Sequence, residues 1–186
     1  MSAEQDRNGR IVHPIPPVYD PRARILILGS FPSVRSREAG FYYGHPQNRF
    51  WKVLASVLGE EIPEDIEGKK KYLLRHRIAL WDVIGSCEIA GSADATIRNV
   101  AVNDLTPILE QADIRAVFVN GKTAEKYYRK YTEPRTGRPA SVLPSTSPAN
   151  AAWTTERLAE EWRRILRYLD GAETARPAQL ESRGRK

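Results

Sequence analysis

The segment GFYYGHPQNRFW, residues 40–51, carries side chains that could bind a flat ring. Phe41, Tyr42 and Tyr43 are adjacent, and an aromatic ring with a free face stacks on a nucleobase with a gain of about 1–3 kcal/mol. Packing in the core is the alternative for one or two of these rings. Asn48 directly precedes an apolar helical pattern, where asparagine is among the best N-cap residues. The segment therefore predicts a stacking site beside a helix N-terminus.

Two further polar motifs lie in the second half of the chain. The stretch LPSTSPAN, residues 143–150, places three hydroxyl groups in a loop bounded by prolines. Hydroxyls and backbone amides bind phosphate well, although an ordinary turn has the same composition. The stretch NGKT resembles part of a phosphate-binding loop, but the glycine required five positions before Gly121 is Ala116. This mismatch excludes a nucleoside triphosphatase of that type.

Apolar runs and helical patterns alternate along the chain and predict how these motifs are positioned. We expect an α/β fold, a three-layer sandwich with a central, mostly parallel four-stranded sheet flanked by helices. In such sheets ligands bind outside the carboxyl ends of the strands. Those ends are predicted at residues 29–32, Asp82, residues 120–121 and residues 143–150. All four should converge on one crevice.

Size and composition bound the class of protein. A chain of 186 residues and 21.0 kDa, 41% of them apolar, suits one globular domain. No apolar run approaches the roughly 20 residues that span a bilayer, and the polar N-terminus lacks a secretion signal. We therefore expect a cytoplasmic protein with no membrane segment. The predicted organisation is an arm over residues 1–20, one domain over 21–170 and a basic, disordered tail over 171–186.

Charge and ligand residues indicate which partners to expect. The single cysteine, Cys87, excludes an internal disulfide or a four-thiolate metal site, and the three histidines have no ligand spacing. We expect no metal and no cofactor. The net charge of +6 favours a nucleic-acid partner held through its phosphates. Arg135 and Arg138, in the loop TEPRTGRP, are candidate phosphate contacts.

Three motifs together resemble the uracil-DNA glycosylase superfamily: ILILGSFPS, GFYYGHPQNRFWKVL and LPSTSPANA. The run HPQNRFWKV is similar to the bacterial mismatch-specific uracil glycosylases. With GSFPS and the segment WDVIGSCEIAGSADATI, the set resembles the hypoxanthine (deoxyinosine) DNA glycosylase branch. The likeness covers about residues 24–169, which is nearly the whole predicted domain.

The resemblance implies roles for particular residues. Phe31 stands where several relatives have the Asp or Asn that positions the attacking water, so the resemblance transfers that role to Asn48, with support from Asn120. Tyr43 would stack on the flipped base and Asp82 would read its edge, with a helix cap or a structural ion pair as the alternative role for Asp82. The remaining implied contacts are Ser30 and Phe31 for the base, and Ser145, Thr146, Ser147, Ala149 and Asn150 for DNA.

The function that the resemblance implies is that of a monofunctional DNA glycosylase. Such an enzyme flips a deaminated base out of DNA, hypoxanthine being the first choice, and hydrolyses its N-glycosidic bond. We expect DNA containing a deaminated base as partner, no cofactor, and a monomer. An enzyme acting chiefly on uracil is the nearest alternative. A non-catalytic nucleic-acid-binding domain is the alternative from another class.

Overall fold

Seven strands divide between two sheets within residues 9–169, the part of the chain that the computed structural model describes. They are β1 (Ile11–Val12), β2 (Ile25–Gly29), β3 (Ile78–Asp82), β4 (Ile84–Glu88), β5 (Arg98–Val102), β6 (Ala116–Asn120) and β7 (Ala140–Leu143). The central sheet has the order β3-β2-β6-β7, and every neighbouring pair in it is parallel. The predicted four-stranded sheet is confirmed.

Helices pack on both faces of this sheet. They are α1 (Val34–Ala39), α2 (Phe50–Leu58), α3 (Ile66–Arg75), α4 (Thr106–Gln111), α5 (Lys122–Tyr127), α6 (Glu133–Thr136), α7 (Thr155–Trp162) and α8 (Leu166–Leu169). Ile25 and Ile27 of β2 pack in one core cluster, and Leu26 and Leu28 pack in the other. This alternation produces the three layers, because successive side chains of a strand point to opposite faces.

The closing helix fixes one part of the site. Trp162 of α7 is fully buried in the same core cluster as Phe50 of α2. Its indole N–H donates to the Pro144 carbonyl oxygen at 3.0 Å. The loop after β7 is therefore tied to the core at its first residue.

A second, antiparallel sheet of order β1-β4-β5 was not predicted. The apolar run IALWDVIG, residues 78–85, predicts one continuous strand, whereas the chain leaves the central sheet after Asp82 and enters the second sheet at Ile84. Asn103 holds this break, because its side-chain Nδ2 donates to the carbonyl oxygens of Asp82 at 2.9 Å and Ile84 at 3.3 Å. A break maintained from a distant residue leaves no local signal in an apolar run.

The described part of the predicted arm is packed onto the domain. Val18 and Leu80 exchange two backbone hydrogen bonds of 2.9 Å, which cover the outer edge of β3. Ile15 is buried, and β1 pairs with β4. The domain therefore begins before the predicted boundary at residue 21. The edge strand β3 needs backbone partners, and the chain around Val18 supplies them. The predicted tail lies outside the described residues. None of the helices within residues 9–169 is both long and apolar enough to cross a membrane.

Candidate active site

A cavity of about 290 Å³ opens at the carboxyl edge of the central sheet. β2, β3 and β6 contribute Gly29, Asp82 and Asn120, the residues that end these strands. The aromatic segment and the loop after β7 supply the remaining walls. The predicted convergence of strand ends on one crevice therefore occurs. The cavity lies near the lower end of ligand-pocket sizes, roughly 300 Å³, which suits a small ring system.

The predicted site residues meet in this cavity, with one exception. Those that line it are Ser30, Phe31, Tyr43, Asn48, Asp82, Asn120, Ser145, Thr146, Ser147 and Ala149. Asn150 does not line it. The side-chain Nδ2 of Asn150 donates to the Ser145 carbonyl oxygen at 2.9 Å, so this residue shapes the loop from within.

Thr146 links the two asparagines in a chain of hydrogen bonds. Asn120 Nδ2 donates to Thr146 Oγ1 at 2.9 Å, and Thr146 Oγ1 donates to Asn48 Oδ1 at 2.9 Å. The Thr146 backbone N–H donates to Asn120 Oδ1 at 3.1 Å. Because Thr146 is fully buried and its hydroxyl is engaged on both sides, the expected contact of its side chain with a DNA phosphate is not compatible with this geometry.

The orientation of the Asn48 amide follows from its partners. Oδ1 accepts the backbone N–H of Phe50 at 3.0 Å in addition to the Thr146 hydroxyl. A backbone N–H can only donate, so this atom is the oxygen, and both of its lone pairs are in use. Asn48 therefore offers Nδ2, a donor, to any ligand. The predicted N-cap role of Asn48 is wrong, because α2 begins at Phe50 and its N-cap is Arg49, which makes no side-chain capping bond; Asn48 Oδ1 binds the Phe50 N–H from one residue further back.

Arg49, which was not among the predicted site residues, joins the loop after β7 to this segment. Its guanidinium donates to the carbonyl oxygens of Ser147 at 2.8 Å, Asn150 at 3.0 Å and Trp153. Its backbone N–H donates to the Thr146 carbonyl oxygen at 3.0 Å. Its position inside the HPQNRFW run was the feature of the sequence that could have identified it as a site residue.

Tyr43 lines the cavity and has one face of its ring covered by Phe50. Its ring stacks on Phe50 with centroids 3.9 Å apart and planes 14° apart. Its hydroxyl accepts a hydrogen bond from Asn120 Nδ2 at 3.2 Å. Phe41 and Tyr42 are both buried, so of the three adjacent rings Tyr43 is the one suited to stack on a ligand. Burial, and then the neighbouring Asp82, raise the pKa of Tyr43, which keeps its phenol neutral.

Asp82 lies beside Gly29, its partner in the register of β2 and β3. A Cβ at Gly29 would collide with Asp82 Oδ1 and approach the Tyr43 hydroxyl to 3.0 Å. The absence of a side chain at Gly29 therefore leaves room for this carboxylate at the cavity wall. Asp82 is 4% exposed.

His13, which was not among the predicted site residues, contacts the other carboxylate oxygen. His13 Nε2 lies 2.7 Å from Asp82 Oδ2, across 69 positions of the chain. No local pattern connects residues at that separation, so the sequence carried no signal for this pair.

Comparison with known proteins is consistent with this geometry. The family model described as Uracil DNA glycosylase superfamily matches residues 16–170. The chain belongs to the uracil DNA glycosylase superfamily. The match covers the central sheet, the aromatic segment and the loop after β7, so every element around the cavity lies within the part shared with the superfamily.

Individual relatives in the superfamily are similar over most of their length. A hypoxanthine DNA glycosylase of Methanosarcina acetivorans is 36% identical over 158 residues, which cover 82% of this chain and 96% of that protein. A hypoxanthine DNA glycosylase of Methanosarcina barkeri is 35% identical over 140 residues, covering 73% and 85%. A solution NMR structure of a candidate uracil DNA glycosylase from M. acetivorans superposes with a TM-score of 0.71 at 36% identity, covering 83% and 96%.

Two other sequence expectations concern positions outside this glycosylase-like cavity. Arg138 donates to the Ile114 carbonyl oxygen, and these residues precede β7 and β6. The loop of Arg135 and Arg138 therefore lies at the amino edge of the sheet, opposite the cavity, which argues against the proposed phosphate contact there. Within residues 9–169, no group of three or more His, Cys, Asp or Glu side chains could hold a metal ion.

Proposed function

We propose that this protein is a monofunctional DNA glycosylase that flips hypoxanthine out of DNA and hydrolyses its N-glycosidic bond. The observation that carries the proposal is the Asp82 carboxylate in the wall of a cavity that Tyr43 and Asn48 also line. In this proposal Asp82 binds the edge of the flipped base and Tyr43 stacks on its face. Asn48 holds the water that attacks at the glycosidic bond. Membership of the superfamily and the names of the two Methanosarcina relatives support the same function.

Recognition of the base would rest on Asp82. Hypoxanthine presents an N1–H donor beside its O6 carbonyl, and an ionised carboxylate can only accept. Backbone amides near Ser30 and Phe31 would donate to the carbonyl oxygen and to the negative charge that develops on the departing base. Adenine has a bare N1 acceptor, which would face the carboxylate unpaired. We therefore expect adenine to be refused.

Hydrolysis would follow a dissociative course. Glycosidases commonly use two carboxylates, whereas here an amide occupies the catalytic position. In a dissociative reaction the water must be held against C1′ but need not be deprotonated first. Asn48 Nδ2 is suited to that task, because its Oδ1 is engaged by Thr146 and Phe50. Asn120 would act through Thr146, keeping the Asn48 amide in one orientation.

The loop after β7 would hold the DNA backbone. Ser145 Oγ accepts the Ser147 N–H and Ser147 Oγ accepts the Ala149 N–H, each at 3.2 Å. Both hydroxyl hydrogens remain as donors for phosphate oxygens. We propose a monomer without metal or cofactor, because one chain supplies every group named, and a cytoplasmic location with the cellular DNA.

Uracil is the second candidate substrate. Its N3–H lies next to a carbonyl, so the Asp82 carboxylate could accept from it as it would from hypoxanthine. The superfamily match also supports uracil as a substrate.

Cleavage of duplex oligonucleotides tests the proposal directly. Strands carrying a single inosine, uracil or adenine are incubated with excess enzyme, and alkali-labile breaks are followed over time. We expect inosine to be cleaved fastest, uracil more slowly and adenine not measurably. Tight binding without breaks in any strand would favour the non-catalytic alternative, and faster cleavage of uracil than of inosine would favour the second candidate.

A further inference from the structure

The His13 side chain lies behind Asp82 and does not itself line the cavity. It is 3% exposed, and its ring contacts Phe31, Tyr42 and Trp81 with centroids 5.8, 6.2 and 6.4 Å away. Among the hydrogen bonds formed within residues 9–169, the one from His13 is the only one to the Asp82 carboxylate. The residue is therefore fixed in position behind the group that we propose reads the base.

The tautomer of His13 follows from its second contact. The backbone N–H of Ile15 donates to His13 Nδ1 at 3.2 Å. Since an amide N–H cannot accept, Nδ1 carries no proton, and the neutral ring must carry its proton on Nε2. That proton is donated to Asp82 Oδ2 at 2.7 Å. A proton on Nδ1 would instead set two N–H donors against each other at the contact with Ile15.

This donor stabilises one state of Asp82. A hydrogen bond to the ionised form of a carboxyl group favours that form, whereas burial without a donor favours the protonated form. Within the described residues no Lys or Arg pairs with Asp82. The other titratable groups near it are two tyrosine phenols and a second acid.

Those groups come from two elements that face Asp82. Burial, and then Asp82, raise the pKa of Tyr42 and of Tyr43 in the aromatic segment. Asp94, at the cavity rim before β5, has its pKa raised first by partial desolvation, against a hydrogen bond from Thr123 and with repulsion from Asp82. None of them donates a hydrogen bond to the Asp82 carboxylate within residues 9–169.

We infer that His13 is a specificity-determining positioning residue that holds Asp82 as an ionised acceptor. The cavity then takes bases that present a ring N–H beside a carbonyl and refuses those with a bare ring nitrogen. The bond from His13 also draws negative charge toward Oδ2, away from the edge of the departing base. The inference rests on the proposed function, since it assigns the control of base choice within the same site.

Replacing the donor predicts a change in pH dependence. In His13→Leu, Asp82 keeps its burial but loses its donor, and both conditions favour the protonated carboxyl group over the ionised one. A protonated carboxyl can donate to the bare N1 of adenine and no longer serves as a full acceptor for N1–H. As pH rises, the ionised form returns and cleavage of inosine recovers. The wild-type enzyme, which keeps the donor, should lack this rise.

The test is single-turnover cleavage of inosine and adenine strands across neutral to alkaline pH by the full chain. We expect His13→Leu to lose about tenfold or more of inosine cleavage at neutral pH, to recover it at high pH, and to cleave adenine relatively better. His13→Gln, which keeps an N–H donor, should restore part of the neutral rate. His76→Leu is the matched control, because His76 pairs with Glu60 at the same 2.7 Å, away from the cavity.

Three outcomes separate the possibilities. Unchanged base preference and an unchanged pH profile in His13→Leu overturn the inference while leaving the proposed function standing. No cleavage of inosine by the wild-type enzyme overturns the proposed function itself. If the leucine variant does not fold, nitrogen NMR of wild-type His13 decides: a proton on Nε2 alone at neutral pH supports the inference, and a proton on Nδ1 overturns it.

Discussion

The Asn48 amide has its two ends in different surroundings. The oxygen is engaged by Thr146 and Phe50, and the Nδ2 group is the end left for a ligand. An aspartate at this position could keep both acceptor contacts but would replace the free donor with an acceptor. Asn48→Asp therefore distinguishes two ways in which this side chain could hold the water: as a hydrogen-bond donor through Nδ2, or as an acceptor through its carbonyl oxygen.

We expect Asn48→Asp to melt close to wild type and to cleave inosine DNA about 100-fold more slowly in a single turnover. Asn48→Ser, which keeps an oxygen that can accept the Phe50 N–H, should also stay folded and cleave poorly. If the aspartate variant cleaves as fast as wild type or faster, the water is held by an acceptor, and the assignment to Nδ2 is wrong.

Tyr43 is the second position where one side chain decides function. Phe50 covers one face of its ring, so a base can stack only on the other. Tyr43→Phe keeps that face and loses only the hydrogen bond from Asn120. We expect Tyr43→Phe to lower the rate of inosine cleavage a few-fold. Tyr43→Ala should lower it about 10- to 100-fold, in line with the energy of base stacking.

Tyr42 provides a matched control for this prediction. Its hydroxyl donates to the carbonyl oxygens of Ile15 and Pro16 in the N-terminal segment. The main effect of Tyr42→Phe should therefore be a lower melting temperature, with little change in the cleavage rate. Cleavage by Tyr43→Ala at the wild-type rate with saturating enzyme would refute the stacking role.

At the scale of elements, the site depends on how the loop after β7 is joined to the start of α2. Arg49 makes this junction with a guanidinium that reaches three carbonyl oxygens. A lysine keeps the charge but not the planar fork of donors. The loop carries Thr146, so its displacement would also release the Asn48 amide.

We expect Arg49→Lys to raise amide hydrogen exchange in residues 145–153 and to slow inosine cleavage about tenfold. Arg157→Lys is the comparison, because Arg157 lies over the Trp153 ring on the exposed side of the same loop. Equal exchange in the two variants, with cleavage unaffected in both, would mean that Arg49 is not needed to position the loop.

At the scale of the whole molecule, the N-terminal segment is part of the domain. Val18 covers the edge of β3, and His13 contacts Asp82 from the same segment. Deleting residues 1–18 exposes an unpaired strand edge, which promotes association between chains. We expect the truncated protein to aggregate at concentrations where the full chain stays monomeric in size-exclusion chromatography. A stable, fully active truncation would contradict this.

The last prediction concerns the net charge of +6. Removing residues 176–186 deletes Arg176, Arg183, Arg185 and Lys186, together with one acidic residue, Glu181. We expect weaker DNA binding and a shallower dependence of affinity on salt, with cleavage retained at saturating enzyme. A folded truncation that has lost all cleavage would show that the chemistry requires this segment.

The sequence by itself determined the central sheet and most of the residues around the cavity. Buried strands read as continuous apolar runs, and polar residues mark where those runs end. Because the carboxyl ends of parallel strands lie at one edge, Gly29, Asp82 and Asn120 could be placed together without knowing any contact. Local patterns and one general rule of topology were sufficient for this part.

Only the tertiary structure decided which atoms these residues present. His13 and Asp82 are 69 positions apart, and Asn48 and Thr146 are 98 apart. Hydrogen bonds at such separations depend on how the chain folds back and leave no periodic trace in the sequence. For this reason the free end of the Asn48 amide, the buried role of Thr146 and the histidine behind Asp82 were all decided by packing.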